Sequence, residues 1–169
     1  MRRALRIIVP LAVLLSAIPV MSLPTATAAT TGGWTWPVVG PVIQGFDPPD
    51  TPYGSGHRGI DIAATVGTTV VAPTDGTVTF AGPVGGHLFL TIDHGAGLSS
   101  TYSWLSANLV RKGDRVLAGQ PIALTGWGHP GAPIPHLHLG VKLDGVYVDP
   151  LSYLGPVSLA TFVRLAPFP

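Results

Sequence analysis

Cysteine and glutamate are both absent from this 169-residue chain. Without cysteine, no disulfide can brace an exported fold and no thiolate can hold a metal. Without glutamate, the helical H-E-x-x-H protease arrangement, whose base is a glutamate, is excluded. Charge is scarce: charged residues make up 10% of the chain, and all eight acids are aspartate. No run of basic residues follows the N-terminal stretch, which argues against nucleic acid and against electrostatic attachment to a membrane. Beyond that stretch, no segment sustains a 3.6-residue hydrophobic period, so long amphipathic helices are not expected. What the chain has instead is 22 glycines, 18 prolines and many β-branched residues. That mixture points to short strands joined by turns.

The one long apolar run is N-terminal. Arg2, Arg3 and Arg6 precede Ile7 to Val20, an apolar run of 14 residues, and Ala26-Thr27-Ala28 forms a small-residue cleavage signal. This pattern reads as a secretory signal peptide over residues 1–28. A spanning helix needs about 20 apolar residues, so no stable membrane anchor is expected. Removing those 28 residues leaves 141, enough for one domain with a real core. It also leaves six basic residues against eight acids, a net charge near −2 rather than +1. The expected organisation is a lead-in over 29–49, one domain over 50–154 and a tail over 155–169. A monomer is expected.

Strand signals come at close intervals from Ile60. They cover Ile60–Ala63, Thr68–Ala72, Thr77–Ala81, His87–Asp93, Leu98–Leu105, Arg115–Leu117, Pro121–Thr125, His136–Leu143 and Val146–Val148. Thr74-Asp75-Gly76 predicts a hairpin between the second and third of these. Asp149-Pro150 predicts a short helical turn. The fold class read from this is all-β, or nearly so, and antiparallel.

Two short motifs carry chemistry: His57 and Asp61 in GHRGID, and His136 and His138 in PHLHLG. Residues i and i+2 of a strand share a face, so His136 and His138 project together while Leu137 points the other way. H-x-H alone reads equally well as a satisfied polar pair, and an isolated H-x-x-x-D reads as an ordinary turn. Together, separated by a full set of strands, they read as one metal site. Two His and one Asp supply three ligands for zinc and leave a fourth position open, with one imidazole free to handle protons.

These stretches, together with HLFLTIDHGAGLSSTYSWL, VRKGDRVLAGQPIALTG and VYVDPLSYL, resemble the lysostaphin-type, LytM-like zinc peptidases of family M23, which cut peptides of bacterial peptidoglycan. The resemblance covers about residues 50–154. It implies a two-sheet antiparallel fold and one zinc ion held by His57, Asp61 and His138. It also implies His136 as a catalytic histidine, a peptidoglycan peptide as partner, and a secreted, wall-associated bacterial protein. The family's second catalytic histidine, in a Tyr-x-His-Leu segment, is replaced: the segment here is Tyr102-Ser103-Trp104-Leu105. An indole N–H donates a hydrogen bond but cannot accept a proton. A slow peptidase is therefore weighed against a non-catalytic wall-binding or hydrolase-regulating domain.

Tyr102 and Trp104 are candidate substrate-binding residues at a groove floor. His129, in the loop before the H-x-H strand, is a candidate proton-route residue, although a solvated loop histidine is the simpler reading. His94 is expected to be structural and His87 to lie at the surface. A biotin- or lipoyl-type carrier is suggested by residues 113–121, but neither Lys112 nor Lys142 sits in a suitable hairpin tip.

Overall fold

The computed structural model of the chain describes residues 33–51 and 54–155. The signal-peptide reading and the tail beyond residue 155 lie outside the described residues. Among the described residues, no helix is long and apolar enough to cross a membrane.

The expected antiparallel β architecture is what forms. Among the described residues, ten strands occur in order: β1 (Val42–Gln44), β2 (Ile60–Ala63), β3 (Thr69–Val71), β4 (Gly76–Val84), β5 (His87–Gly95), β6 (Leu98–Asn108), β7 (Arg115–Val116), β8 (Pro121–Thr125), β9 (His136–Leu143) and β10 (Val146–Val148). The main path runs β1-β2-β9-β6-β5-β4-β7, with β10 beside β9, and with β3 paired to β8. Hydrogen bonding is continuous because β6 is long enough to serve two neighbours. Residues 98–103 pair with β9, and Leu105 to Asn108 pair with β8.

The hairpin expected between β3 and β4 does not form. β3 pairs with β8 instead, while β4 takes β5 and β7. Residues 73–75 are committed elsewhere: Asp75 Oδ1 accepts from the Ala118 N–H at 2.8 Å, and Pro73 has no N–H to continue a ladder. The expected turn at Asp149-Pro150 is a 3-10 turn over Pro150–Ser152, capped by Asp149, whose side chain accepts from the Leu151 N–H at 2.9 Å.

The core is assembled from alternating residues. Ile60 and Ile62 of β2, Leu90 and Ile92 of β5, and Leu137 and Leu139 of β9 are all at most 1% exposed. The lead-in contributes as well: Val38 is buried, β1 pairs with β2, and the Trp36 indole donates to the Gly155 carbonyl at 2.8 Å.

Tyr102 belongs to this core. It is fully buried, and its hydroxyl lies 2.9 Å from Ser100 Oγ. The substrate-binding role expected for Tyr102 is therefore withdrawn: it lies on the inward face of β6, where alternation places it. Ser100 Oγ in turn lies 2.8 Å from His94 Nε2, and His94 Nδ1 donates to the Asp75 carbonyl at 2.8 Å. His94 thus stitches β5 to the turn before β4.

Burial lowers the pKa of His94 from the ordinary 6.5, against the raising effects of the Asp75 carbonyl and the Asp93 charge. The fold accommodates the neutral ring, so the unfolded chain binds the proton more readily. Stability should be full above about pH 6.5 and should fall as pH drops from there toward the folded pKa. Urea midpoints of the metal-free domain at pH 7.5 and 5.5 measure this. His94→Gln should flatten the decline. An unchanged slope in that variant would remove His94 as a cause.

Candidate metal centre

The register of β2 against β9 brings the two motifs together. Asp61 stands opposite His138, and Ala63 opposite His136. Directly opposed residues in such a pair have Cβ atoms about 4.5–5.5 Å apart, which is ligand reach for Asp and His. His138 Nδ1 lies 2.8 Å from Asp61 Oδ1. His57 is held just before β2 by a bridge to Asp47. Its Nε2 lies 3.1 Å from Asp61 Oδ1 and 3.0 Å from His138 Nδ1. Gly59 permits this close approach, since a Cβ there would run into the Leu139 carbonyl and the His138 ring.

His57 Nδ1 lies 2.6 Å from the Gly45 carbonyl, which can only accept, so the proton is on Nδ1 and Nε2 presents a lone pair. Two imidazole nitrogens and a carboxylate oxygen thus converge within 3.1 Å. A proton can serve one of these pairs, whereas a divalent cation serves all three. The donor set of nitrogen and carboxylate oxygen suits zinc.

Burial would raise the pKa of Asp61. Hydrogen bonds from His138 and His129, with the charges of His138 and His57, outweigh it and hold the carboxyl at about 2. Burial lowers the pKa of His138, against the raising effect of Asp61. Both groups are thereby kept in the deprotonated form that metal ligation requires.

His136 is fully buried beside the cluster. Its Nδ1 donates to the Ile134 carbonyl at 3.1 Å, which leaves a lone pair on Nε2, 3.7 Å from Asp61 Oδ2. The His129 backbone N–H points at that nitrogen from 3.4 Å. The ring lies over Gly128, whose φ is +98°, and any Cβ at that position would enter the imidazole. The Gly-Trp-Gly-His-Pro-Gly stretch signalled such a turn, but sequence alone did not show which side chain it supports.

His129 is not the solvated loop residue of the simpler reading. Its side chain is 27% exposed, and Nε2 lies 2.9 Å from Asp61 Oδ2.

Trp104 occupies a β-bulge. On β5, Phe89 pairs with Ser103 and Leu88 with Leu105, so residue 104 is the extra one, with φ +61°. Bulges re-aim a side chain, and a left-handed backbone at a bulky residue is strained by about 1–3 kcal/mol. The indole is half-buried and packs on the exposed His87 ring at 3.9 Å between centroids. With Trp127 and His129 it lines a cleft of about 570 Å³. A second cleft of about 480 Å³ reaches His57 and His138 and is lined by Phe89, Tyr147, Arg58 and Lys142. Arg58, which sequence reasoning passed over, and Lys142, weighed there only as a carrier lysine, are the two cationic residues lining this cleft. Lys142 Nζ sits 4.6 Å from the centre of the Tyr147 ring.

Comparison with known proteins follows the same residues. Residues 55–150 match the sequence profile of peptidase family M23. The murein hydrolase activator NlpD of Salmonella dublin is 36% identical over 132 residues, covering 77% of this chain and 33% of that protein. The chain therefore spans about one third of that relative's length. Among solved structures, lysostaphin, the antimicrobial peptidase from Staphylococcus simulans, superposes with a TM-score of 0.63 at 28% identity, covering 75% of this chain and 55% of the other. A zinc-containing peptidase from Vibrio cholerae gives a TM-score of 0.58 at 30% identity, covering 73% and 41%.

Proposed function

Because this chain belongs to peptidase family M23, we propose that it is an extracytoplasmic zinc-binding domain that acts on the peptide part of bacterial peptidoglycan and hydrolyses it slowly. One observation carries the reading: three donors, on His57, Asp61 and His138, converge beside the buried Nε2 of His136. Zinc bound there supplies Lewis acidity toward a peptide carbonyl and toward water.

The chain's own residues supply the rest. His136 Nε2 accepts a proton from the attacking water and can return it to the leaving amine. The Ile134 carbonyl fixes its tautomer. The cleft beside His57 is lined by Arg58 and Lys142, whose cationic side chains suit a peptide bearing acidic groups. Slowness follows from Trp104, where an indole stands in the Tyr-x-His-Leu segment and no proton acceptor is available.

A second reading is supported by the same Trp104 and by the activator name of the Salmonella relative. The domain would then hold zinc and regulate another hydrolase. Release of free amino groups from purified peptidoglycan separates the two. Wild type should release them slowly, and His136→Ala should lower the rate by about 10²–10⁴-fold. No release from folded, zinc-loaded wild type would favour regulation.

A further inference from the structure

The sequence and the family resemblance leave the fourth position at this metal open, yet the structure places a third imidazole beside it. His129 Nε2, His57 Nε2, His138 Nδ1 and a carboxylate oxygen of Asp61 all lie within 4.8 Å of one another. We propose that His129 is the fourth protein ligand, so that the resting centre is a closed set of three imidazoles and one carboxylate. The inference rests on the zinc-binding reading above.

Three observations argue for ligation over incidental proximity. His129 Nδ1 is turned to the Pro130 carbonyl of its own loop at 3.2 Å, so Nε2 is the nitrogen offered to the cluster. That nitrogen faces Asp61 Oδ2 at 2.9 Å. A zinc ion held by His57, His138 and Asp61 would find this nitrogen within the same cluster of donors. Second, the loop is shaped to deliver the ring. Gly128 and Gly131, with φ of +98° and +87°, flank His129-Pro130. The His129 backbone N–H points at His136 Nε2, and the two rings pack edge to face at 4.6 Å. Third, the ring is only 27% exposed, although it sits on a loop.

Four-donor protein sites bind zinc structurally, whereas hydrolytic sites keep one position for water. A ligand on a glycine- and proline-framed loop is the one best able to give way. Hydrolysis then requires His129 to leave, which adds a second cause of slowness to the missing acceptor at Trp104.

X-ray absorption at the zinc edge of the intact domain tests this directly by counting imidazole donors. Three are expected in wild type and two in His129→Ala. Zinc affinity should fall on the order of 10²-fold in His129→Ala. Added imidazole should restore the wild-type spectrum by filling the vacated position. Two imidazoles in wild type, with unchanged affinity in His129→Ala, would overturn the inference while leaving the three-ligand reading standing. Failure of the intact wild-type domain to retain any zinc would instead overturn the zinc-binding reading itself. The wild-type spectrum decides the ligand count even if the variant fails to fold.

Discussion

Replacing His138 by alanine should lower zinc affinity by about 10²–10³-fold. A structural zinc contributes about 10–16 kcal/mol of binding free energy, and four donors sharing it give about 2.5–4 kcal/mol each. The loss at His138 also leaves Asp61, 1% exposed, without its shortest partner at 2.8 Å. Competition with a chromogenic chelator at pH 7.5 measures the affinity. Thermal unfolding supplies a second readout. Zinc at 100 times its Kd stabilises a protein that binds it only when folded by about 2.7 kcal/mol. Wild type should show that gain and His138→Ala should not. Equal zinc content in both proteins after dialysis against a mild chelator would put His138 outside the ligand set.

Trp104→His should raise kcat/KM for peptidoglycan peptide release by about 10–100-fold, up to the low end of the range of about 10²–10⁴ typical of one positioned acid–base group. The backbone favours the exchange. Residue 104 sits at φ +61° in a bulge, and among residues with a Cβ histidine is one of those that tolerate this region best. Its side chain would enter the cleft already lined by His129 and Trp127. The gain should shrink below about pH 6.5, where a new imidazole is protonated and cannot accept. A pH profile of both proteins reads this. A variant that folds and binds zinc but gains nothing would show that the indole is not what limits the rate. Attention would then pass to His129.

Much of the fold was legible because its signals are local. The short β-branched runs bounded by Gly, Pro and Asp gave the strands, and the H-x-H spacing put His136 and His138 on one face. Hairpin partnering was less legible. Thr74-Asp75-Gly76 has the chemistry of a tight turn, but turn chemistry does not say whether a more distant strand competes, and β8 wins β3. Tyr102 was misjudged for a related reason. Its neighbours in sequence suggested the cleft, while the period-2 alternation of β6 turns it inward to Ser100.

The sequence by itself determined which residue types were available: imidazoles and aspartates, no thiolate, no glutamate, and a tryptophan where a proton acceptor was expected. It also determined the strand faces, because side-chain direction in a strand follows from position alone. Only the tertiary structure decided what meets at the metal centre. The register of β2 on β9 opposes Asp61 to His138 across 77 residues of chain. The Gly128 turn carries His129 back onto Asp61, 68 residues away. Such contacts depend on pairing and on left-handed backbone at particular residues, and neither is encoded in the local pattern around a histidine.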